Sequence, residues 1–373
     1  MKWCRSCVLP DTRPNLVIGP DGICNACRSH GARKDIDWAS REIAFRQVVE
    51  RARERAAGYD CLIPVSGGKD STWQVIKCLE YGLTPLGVTW KTPARTPIGQ
   101  RNLDNLVSLG VDHIDYQINP KVEARFMVKA FERFGSTAIP MHMALFNIPL
   151  TIAANFRIPL VVWGENSAFE YGTEDESLTG FRLDGAWLAR HGVMHGTTAE
   201  DWLGQGFTRK ELVAYFGPDA GTLASHGLRA VFLGYYFPWD PETSLSVAAA
   251  HGFAFDAGAA RTGYYDYADI DDDFISLHHW MKWYKFGFTR LFDNLSLEIR
   301  NGRMTREQAL QIIRERGDQT PHADIDKFCA FAGITRERFF AIAETFRNHD
   351  VWKRREDGSL HIPGFLFDDW RWS

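Results

Sequence analysis

Ser66-Gly67-Gly68-Lys69-Asp70-Ser71 is the group of residues in this chain best equipped for chemistry. Two adjacent glycines let the backbone turn sharply and face its N–H groups toward an anion with no Cβ in the way. The lysine adds a point cation and the serines add hydroxyl donors. An apolar run ending at Val65 leads in, and a helical stretch from Ser71 to Tyr81 leads out, so the helix N-terminus aims its unpaired donors at the same spot. The pattern is a phosphate cradle. It is not a Walker A loop, which would need glycine at Ile63 and a hydroxyl where Asp70 stands.

Cys4, Cys7, Cys24 and Cys27 form a second group, C-x2-C followed sixteen residues later by C-x2-C. Each short gap sets two thiols on one side of a tight turn, and two such turns complete a tetrahedron around a metal. Structural Zn²⁺ is the expected occupant, with an iron–sulfur cluster and disulfides as the competing readings. A closed four-thiolate zinc site has no open position, so its expected role is folding. Cys61, Cys78 and Cys329 stand singly in apolar surroundings and read as packing residues.

Alternating strands and helices must position the cradle. The sequence predicts strands at Leu62–Val65, Leu86–Trp90, His113–Tyr116 and Pro159–Trp163, with helices over Ser71–Tyr81, Gln100–Leu109, Val122–Phe134 and Met141–Asn155 between them. Continuous apolar strands separated by helices indicate a parallel, doubly wound α/β sheet covered on both faces. Ligands bind such sheets beyond the carboxyl ends of the strands. Ser66–Ser71, Thr89 and the Gly164-Glu165-Asn166 turn all fall there. The expected organisation is a cysteine module over 1–32, a linking helix over 33–58, the nucleotide-binding domain over 59–175, an irregular substrate-site region over 176–263 and a mostly helical region over 264–373. In the irregular region Leu228–Phe232 reads as one more possible strand, and Asp266–Asp273 is an acidic cluster at the start of the helical one.

Composition narrows the function classes. At 373 residues the chain holds two or three domains at about 150 residues each. A formal charge of −4 argues against a general nucleic-acid binder, and 13 Trp with 25 Phe promise ring-lined surfaces. No apolar run is long enough to span a membrane and no secretory leader is visible, so a cytoplasmic protein without membrane insertion is expected.

The order Ser-Gly-Gly-Lys-Asp-Ser resembles the PP-loop of ATP pyrophosphatases (adenine-nucleotide α-hydrolase-like proteins), which split ATP between the α and β phosphates. Further stretches, Cys4–Pro14, Gly22–Cys27, Ile98–Leu103, Trp163–Asn166 with Glu170–Gly172, Lys285–Arg290 and Gly302–Ala309, resemble the N-acetyl sugar amidotransferase family of surface-polysaccharide (LPS O-antigen) biosynthesis. That resemblance implies ATP-dependent conversion of an acetamido group on a nucleotide-linked sugar to an acetamidino group. The amide oxygen would be adenylated with release of pyrophosphate, and ammonia would displace AMP. No cysteine has the setting of a glutaminase nucleophile, so the resemblance implies a separate glutaminase and an ammonia-channelling barrel subunit as partners.

Roles follow on that reading. Ser66, Gly67, Gly68, Lys69, Asp70, Ser71, Thr89, Gly164 and Asn166 are expected to hold ATP and pyrophosphate, with Lys69, Asp70 and Glu165 catalytic. Asp70 and Glu165 are the candidate Mg²⁺ partners. His142, Glu170, Tyr171, Lys285 and Arg290 are candidate sugar-side residues, with Lys282 and the rings of Trp280, Trp283 and Tyr284 nearby in sequence. The competing assignment is a PP-loop tRNA 2-thiolation enzyme, which shares the cysteine module and the loop. Clustered downstream cysteines and a basic face would favour it, and this chain has neither in its sequence.

Overall fold

A computed structural model describes residues 1–173, 175–258, 260–317, 319–370 and 372. Five parallel strands form the central sheet: β1 (Cys61–Pro64), β2 (Pro85–Trp90), β3 (Asp112–Tyr116), β4 (Leu160–Trp163) and β5 (Arg229–Phe232), in the order β3-β2-β1-β4-β5. β5 pairs beside β4, so the sheet reaches into the segment 176–263.

The helices ahead of and among these strands are α1 (Asn25–Gly31), α2 (Trp38–Arg55), α3 (Lys69–Glu80), α4 (Pro97–Ser108), α5 (Pro120–Phe134), α6 (Ile139–Asn155), α7 (Ser167–Tyr171), α8 (Gly185–His191) and α9 (Ala220–Ser225). Alternation along the strands assigns them to faces. Leu62, Leu86, Val88, Val161 and Trp163 join the core under α5 and α6. Cys61, Ile63, Val65, Leu160 and Val162 join the other core, under α2, α3 and α4. Strands buried on both sides need apolar residues at every position, which is why β1 and β4 read as unbroken runs. Strand order reverses between β2 and β4 on either side of β1, and the crevice at their carboxyl ends is where such sheets take ligands.

After β5 come α10 (Leu233–Tyr236), α11 (Pro241–Ala250), α12 (Ile275–Phe286), α13 (Arg290–Arg300), α14 (Arg306–Arg316), α15 (His322–Ala332) and α16 (Arg336–Thr345), then a two-stranded antiparallel pair, β6 (Lys353–Arg354) and β7 (Leu360–His361). Thr305 and Gln308 form the reciprocal capping box that starts α14. This region shares one core with the cysteine module: Cys4, Val8, Leu9, Leu16 and Ala26 pack among Leu291, Phe292 and Leu295 of α13 and the aromatic rings of α12.

One strap ties the helical region to the sheet. Thr96 N–H donates to Asp271 O (3.1 Å), the Thr96 hydroxyl to Ile270 O (2.5 Å), Asp273 N–H to Ala94 O (3.0 Å) and the Thr92 hydroxyl to Asp272 Oδ1 (2.7 Å). At Gly99 a Cβ would lie 2.7 Å from Asp271 Cα, so only glycine lets α4 approach this closely. The strap carries the acidic run 269–272 to the mouth of the crevice. Among the described residues no helix is long and apolar enough to cross a membrane.

Candidate active site and metal centre

The cradle forms as its composition demands. Gly67 adopts φ +87°, a left-handed conformation, and a Cβ there would sit 2.7 Å from Leu103 N in α4. Gly68 caps α3 without a side-chain partner, leaving the first-turn donors for a ligand. The Ser66 hydroxyl accepts from Gly68 N–H (3.2 Å), and the Ser71 hydroxyl donates to Gly68 O (3.0 Å). Lys69 is buried, with its ammonium 2.6 Å from Asp70 Oδ2 and over the rings of Trp239 and Tyr267. Trp239 Nε1 donates to Asp70 Oδ1 (3.0 Å), so both oxygens of that carboxylate are held.

These residues open on a cavity of about 460 Å³ at the carboxyl ends of β1, β2 and β4. The size is that of a small-molecule site. Ser66, Gly68, Lys69, Asp70, Ser71 and Thr89 line one wall, and Glu165, Tyr171 and His142 another. The strapped segment supplies Asp269, Asp271 and Asp272, while α12 and α13 supply His279 and Arg290.

Burial, then the neighbouring Asp70 charge, pushes the Glu165 carboxyl up to about 7. Burial pushes Asp272 up to about 7 as well. Burial alone would raise Asp269, but His279 and Arg290 beside it hold that carboxyl well below the usual range. Burial takes His142 down to about 4, so it is neutral near pH 7. Its Nδ1 lies 2.7 Å from Ala138 O, which can only accept, so Nδ1 carries the proton and Nε2 is a bare lone pair. Five carboxylates line the cavity with three cations, Lys69, Arg290 and Arg95, the last already paired with Asp115. The donor set suits Mg²⁺, which takes carboxylate and phosphate oxygens together; Asp70 and Glu165 would hold it, and it would neutralise phosphate charge.

Not every residue expected at the site reaches it. Asn166 is buried and fully committed to structure: its amide donates to Leu178 O (2.8 Å) and Gly180 O (3.0 Å) and accepts from Ala168 N–H (2.9 Å) and Trp187 Nε1 (2.9 Å). Gly164 and Gly67 shape the turns but do not line the cavity. Gly164 makes room for the Gln74 side chain. Glu170 is a buried partner of Arg33 (2.6 Å) in the segment after α1, away from the cavity. Lys285 lines a different cavity, beyond α12. Of the rings expected near the sugar, Trp280, Trp283 and Tyr284 are buried in the core shared with the cysteine module. The sequence reading assigned no role to Asp269, Asp271, Asp272, Trp239 or His279. The acidic run was visible as a cluster, but its role depends on the strap from 92–99.

Cys4, Cys7, Cys24 and Cys27 converge, with all four sulfurs within 4.8 Å of one another. Cys4–Cys27 and Cys7–Cys24 are 4.0 and 3.8 Å apart. Tetrahedral coordination at about 2.3 Å per Zn–S bond requires S···S near 3.8 Å, so the set fits one metal ion. Backbone N–H groups of Cys7 and Cys24 point at Cys4 Sγ (3.5 and 3.3 Å). Arg300 supplies a further test of fit. Its Nε, Nη1 and Nη2 are buried with no hydrogen-bond partner among the described residues; burial disfavours its charge, and negative charge on Cys7, Cys27 and Cys24 would favour it. A cation buried unpaired is costly. A metal with four thiolates carries net negative charge and would compensate it.

The module is fixed directly to the loop after β4. Asn25 Nδ2 donates to Thr173 O (3.0 Å), Arg13 Nη1 to Tyr171 O (3.5 Å), and Gly172, at φ +89°, leaves only 3.1 Å between a would-be Cβ and Ala26. Tyr171 is therefore held from the thiolate side.

A parallel α/β sheet with a glycine-lysine anion cradle and carboxylates at its strand ends has the form of a nucleotide-dependent enzyme. Residues 261–363 match the family model described as "LPS biosynthesis protein WbpG-like, C-terminal domain", so the segment that carries Asp269–Asp272, His279, Lys285 and Arg290 is similar to a domain of LPS-biosynthesis proteins. Among solved structures, the NMN synthetase from Francisella tularensis aligns at 14% identity over 51% of this chain and 91% of that one, with a TM-score of 0.26, too loose a likeness to carry an argument. No curated protein matches the chain.

Proposed function

We propose that the protein is an ATP-dependent, AMP- and diphosphate-forming amidotransferase of the PP-loop type. It would convert an acetamido group of a nucleotide-linked sugar to an acetamidino group, using ammonia from a separate glutaminase through a barrel subunit. The observation that carries the reading is the Ser66–Ser71 cradle facing Glu165, His142 and Arg290 across one cavity, with the last supplied by the segment similar to the LPS-biosynthesis domain. That juxtaposition supports a reaction between a triphosphate and a second, sugar-side substrate.

The amide oxygen attacks the α-phosphorus, the α–β bridging bond breaks, and pyrophosphate leaves on the first-turn amides of α3, Ser66, Ser71 and Lys69. Fixed donors and a buried cation favour charge developing on that leaving group. Mg²⁺ held by Asp70 and Glu165 would supply further charge neutralisation. Ammonia then adds to the imidate carbon, the C–O bond to AMP breaks, and one proton leaves the entering nitrogen. The neutral Nε2 of His142 is the available base. The four cysteines would hold structural Zn²⁺, which would take no part in the bond changes, while Arg13 of the same module holds the Tyr171 carbonyl.

Thiolation of tRNA is less well supported, since Cys61, Cys78 and Cys329 are buried and none lines the cavity. The deciding assay supplies ATP, ammonium and an N-acetylated nucleotide sugar. AMP and pyrophosphate should form together with a sugar product lighter by about one mass unit, as oxygen is replaced by N–H. Cleavage to ADP, or turnover stimulated only by tRNA, would overturn the reading.

A further inference from the structure

Beyond α12 lies a second, larger cavity of about 880 Å³. Arg13, Arg133, Arg190, Lys282, Lys285 and Arg347 line it, against one lining carboxylate, Asp293. Arg13 and Lys282 share that carboxylate at 2.8 and 2.9 Å, so it has nothing left to offer Lys285 or the free face of Arg347. Lys285 has no ion pair among the described residues; burial brings it down to about 8. Arg347 is stacked on Tyr284 and Trp352 and paired with Glu344 through Nε and Nη2, while its buried Nη1 has no hydrogen-bond partner among the described residues. Concentrating cations in a partly desolvated chamber is unfavourable unless an anion enters. Phe134, Phe286, Phe288 and Phe346 add ring surface to the same walls.

The chamber adjoins the cradle cavity. Tyr171 lines both, and His142 on the cradle side lies with its ring centroid 5.6 Å from that of His278 on the chamber side. Neighbours on α12 face opposite ways, His279 toward the cradle and His278 toward the chamber. Ammonia needs no cations, so a route for ammonia does not account for these walls. An anion with a flat ring does.

We propose that this chamber is a second nucleotide site, which binds the nucleoside diphosphate end of the acceptor and directs its far end past Tyr171 toward the ATP cradle. The proposal rests on the amidotransferase reading for the identity of that far end, but the site itself can be tested without turnover. Lys285 and Arg347 meet the diphosphate oxygens and the phenylalanine rings meet the base. Two nucleotides are then bound at once, one on each side of α12.

The test is calorimetry on the full-length, metal-loaded protein, first saturated with α,β-methylene-ATP to fill the cradle. ADP, GDP, CDP, UDP and inorganic pyrophosphate are then titrated separately. At least one nucleoside diphosphate should bind at a stoichiometry of about one to the saturated protein, more tightly than pyrophosphate. Lys285→Gln should weaken it about 10–100-fold, the range for loss of a charge-assisted hydrogen bond, with α,β-methylene-ATP binding unchanged. Lys285→Glu should abolish it. Binding of no diphosphate up to millimolar concentration, displacement of the methylene analogue instead of additional binding, or indifference to Lys285→Gln would each overturn the proposal. Binding of pyrophosphate alone as tightly as any nucleotide would refute the ring contacts. If the diphosphate binds as described while no amidine forms, the amidotransferase reading fails and the second site stands. If amidine forms but Lys285→Gln leaves KM for the nucleotide sugar unaltered, the reverse holds.

Discussion

The two cavities on either side of α12 are built on opposite electrostatic plans. The cradle cavity sets Lys69, Arg95 and Arg290 among Asp70, Glu165, Asp269, Asp271 and Asp272, whereas the chamber, among the described residues, is lined by six cationic side chains and one carboxylate, Asp293. A triphosphate entering an acid-rich pocket needs a divalent cation with it; an anion entering the chamber does not. On the proposed readings, the contrast separates a side that handles charge moving during a reaction from a side that holds charge that stays put.

The largest effect expected is on the cradle side. Lys69→Ala should lower pyrophosphate release on the order of 10²-fold or more, with far-UV circular dichroism unchanged, by the scale of other removed charge stabilisers. Unaltered turnover would end the distinction between the cavities. The same variant sharpens it if diphosphate binding in the chamber stays as in the parent protein.

Next comes the cysteine module, whose Arg13 holds the Tyr171 carbonyl between the two cavities. Arg300→Gln should weaken Zn²⁺ retention about 10-fold or more, the scale of outer-shell changes, read by competition with a chromogenic chelator. Equal retention in both proteins would mean the orphaned guanidinium answers some other charge.

The smallest effect is a stability difference that only the acidic cavity should show. With the Glu165 carboxyl raised from 4.5 to about 7, the native chain keeps a proton that the unfolded chain has released between those pH values. Stability is therefore lost as pH rises through that window. Glu165→Gln should abolish this contribution, making the variant ~1–3 kcal/mol more stable than the parent at pH 8 without added Mg²⁺ and about equal at pH 4.5. Urea unfolding at the two pH values measures it. A variant no more stable at pH 8 would show that Glu165 is not desolvated.

The same contrast explains what could be read from the chain. Ser66–Ser71 and the cysteine tetrad are local patterns, complete within a few residues or two short turns, and the strands around them are unbroken apolar runs. The chamber is assembled from positions 13, 133, 190, 282, 285 and 347, which no periodicity connects. Lys285 stood out beside its aromatic neighbours, yet the rings of Trp280, Trp283 and Tyr284 face the core while its ammonium faces the chamber. Asn166 follows a strand end as a ligand residue would, but its amide is claimed by Leu178, Gly180 and Trp187, which lie downstream and give no local signal. Asp269–Asp272 were visible as acids. Their place depends on Thr96 and Gly99, some 170 residues earlier in the chain.

The cysteine module begins the chain but is finished by its end. Val8 N–H reaches Ser296 (3.4 Å), the Thr12 hydroxyl Phe286 O (2.6 Å) and Trp3 Nε1 Gly364 O (2.7 Å), while Arg306 donates back to Cys7 O (3.1 Å). During synthesis the four thiols emerge well before residues 286–306, which make much of the surface they rest on. A ribosome that stopped before residue 275 would leave the knuckle without α12 and α13 to dock on and the loop after β4 without that support. The order of translation thus makes residues 261–300 a condition for a competent site, and a product that stopped before them would carry the cradle without the wall that Asp269–Asp272 and Arg290 complete.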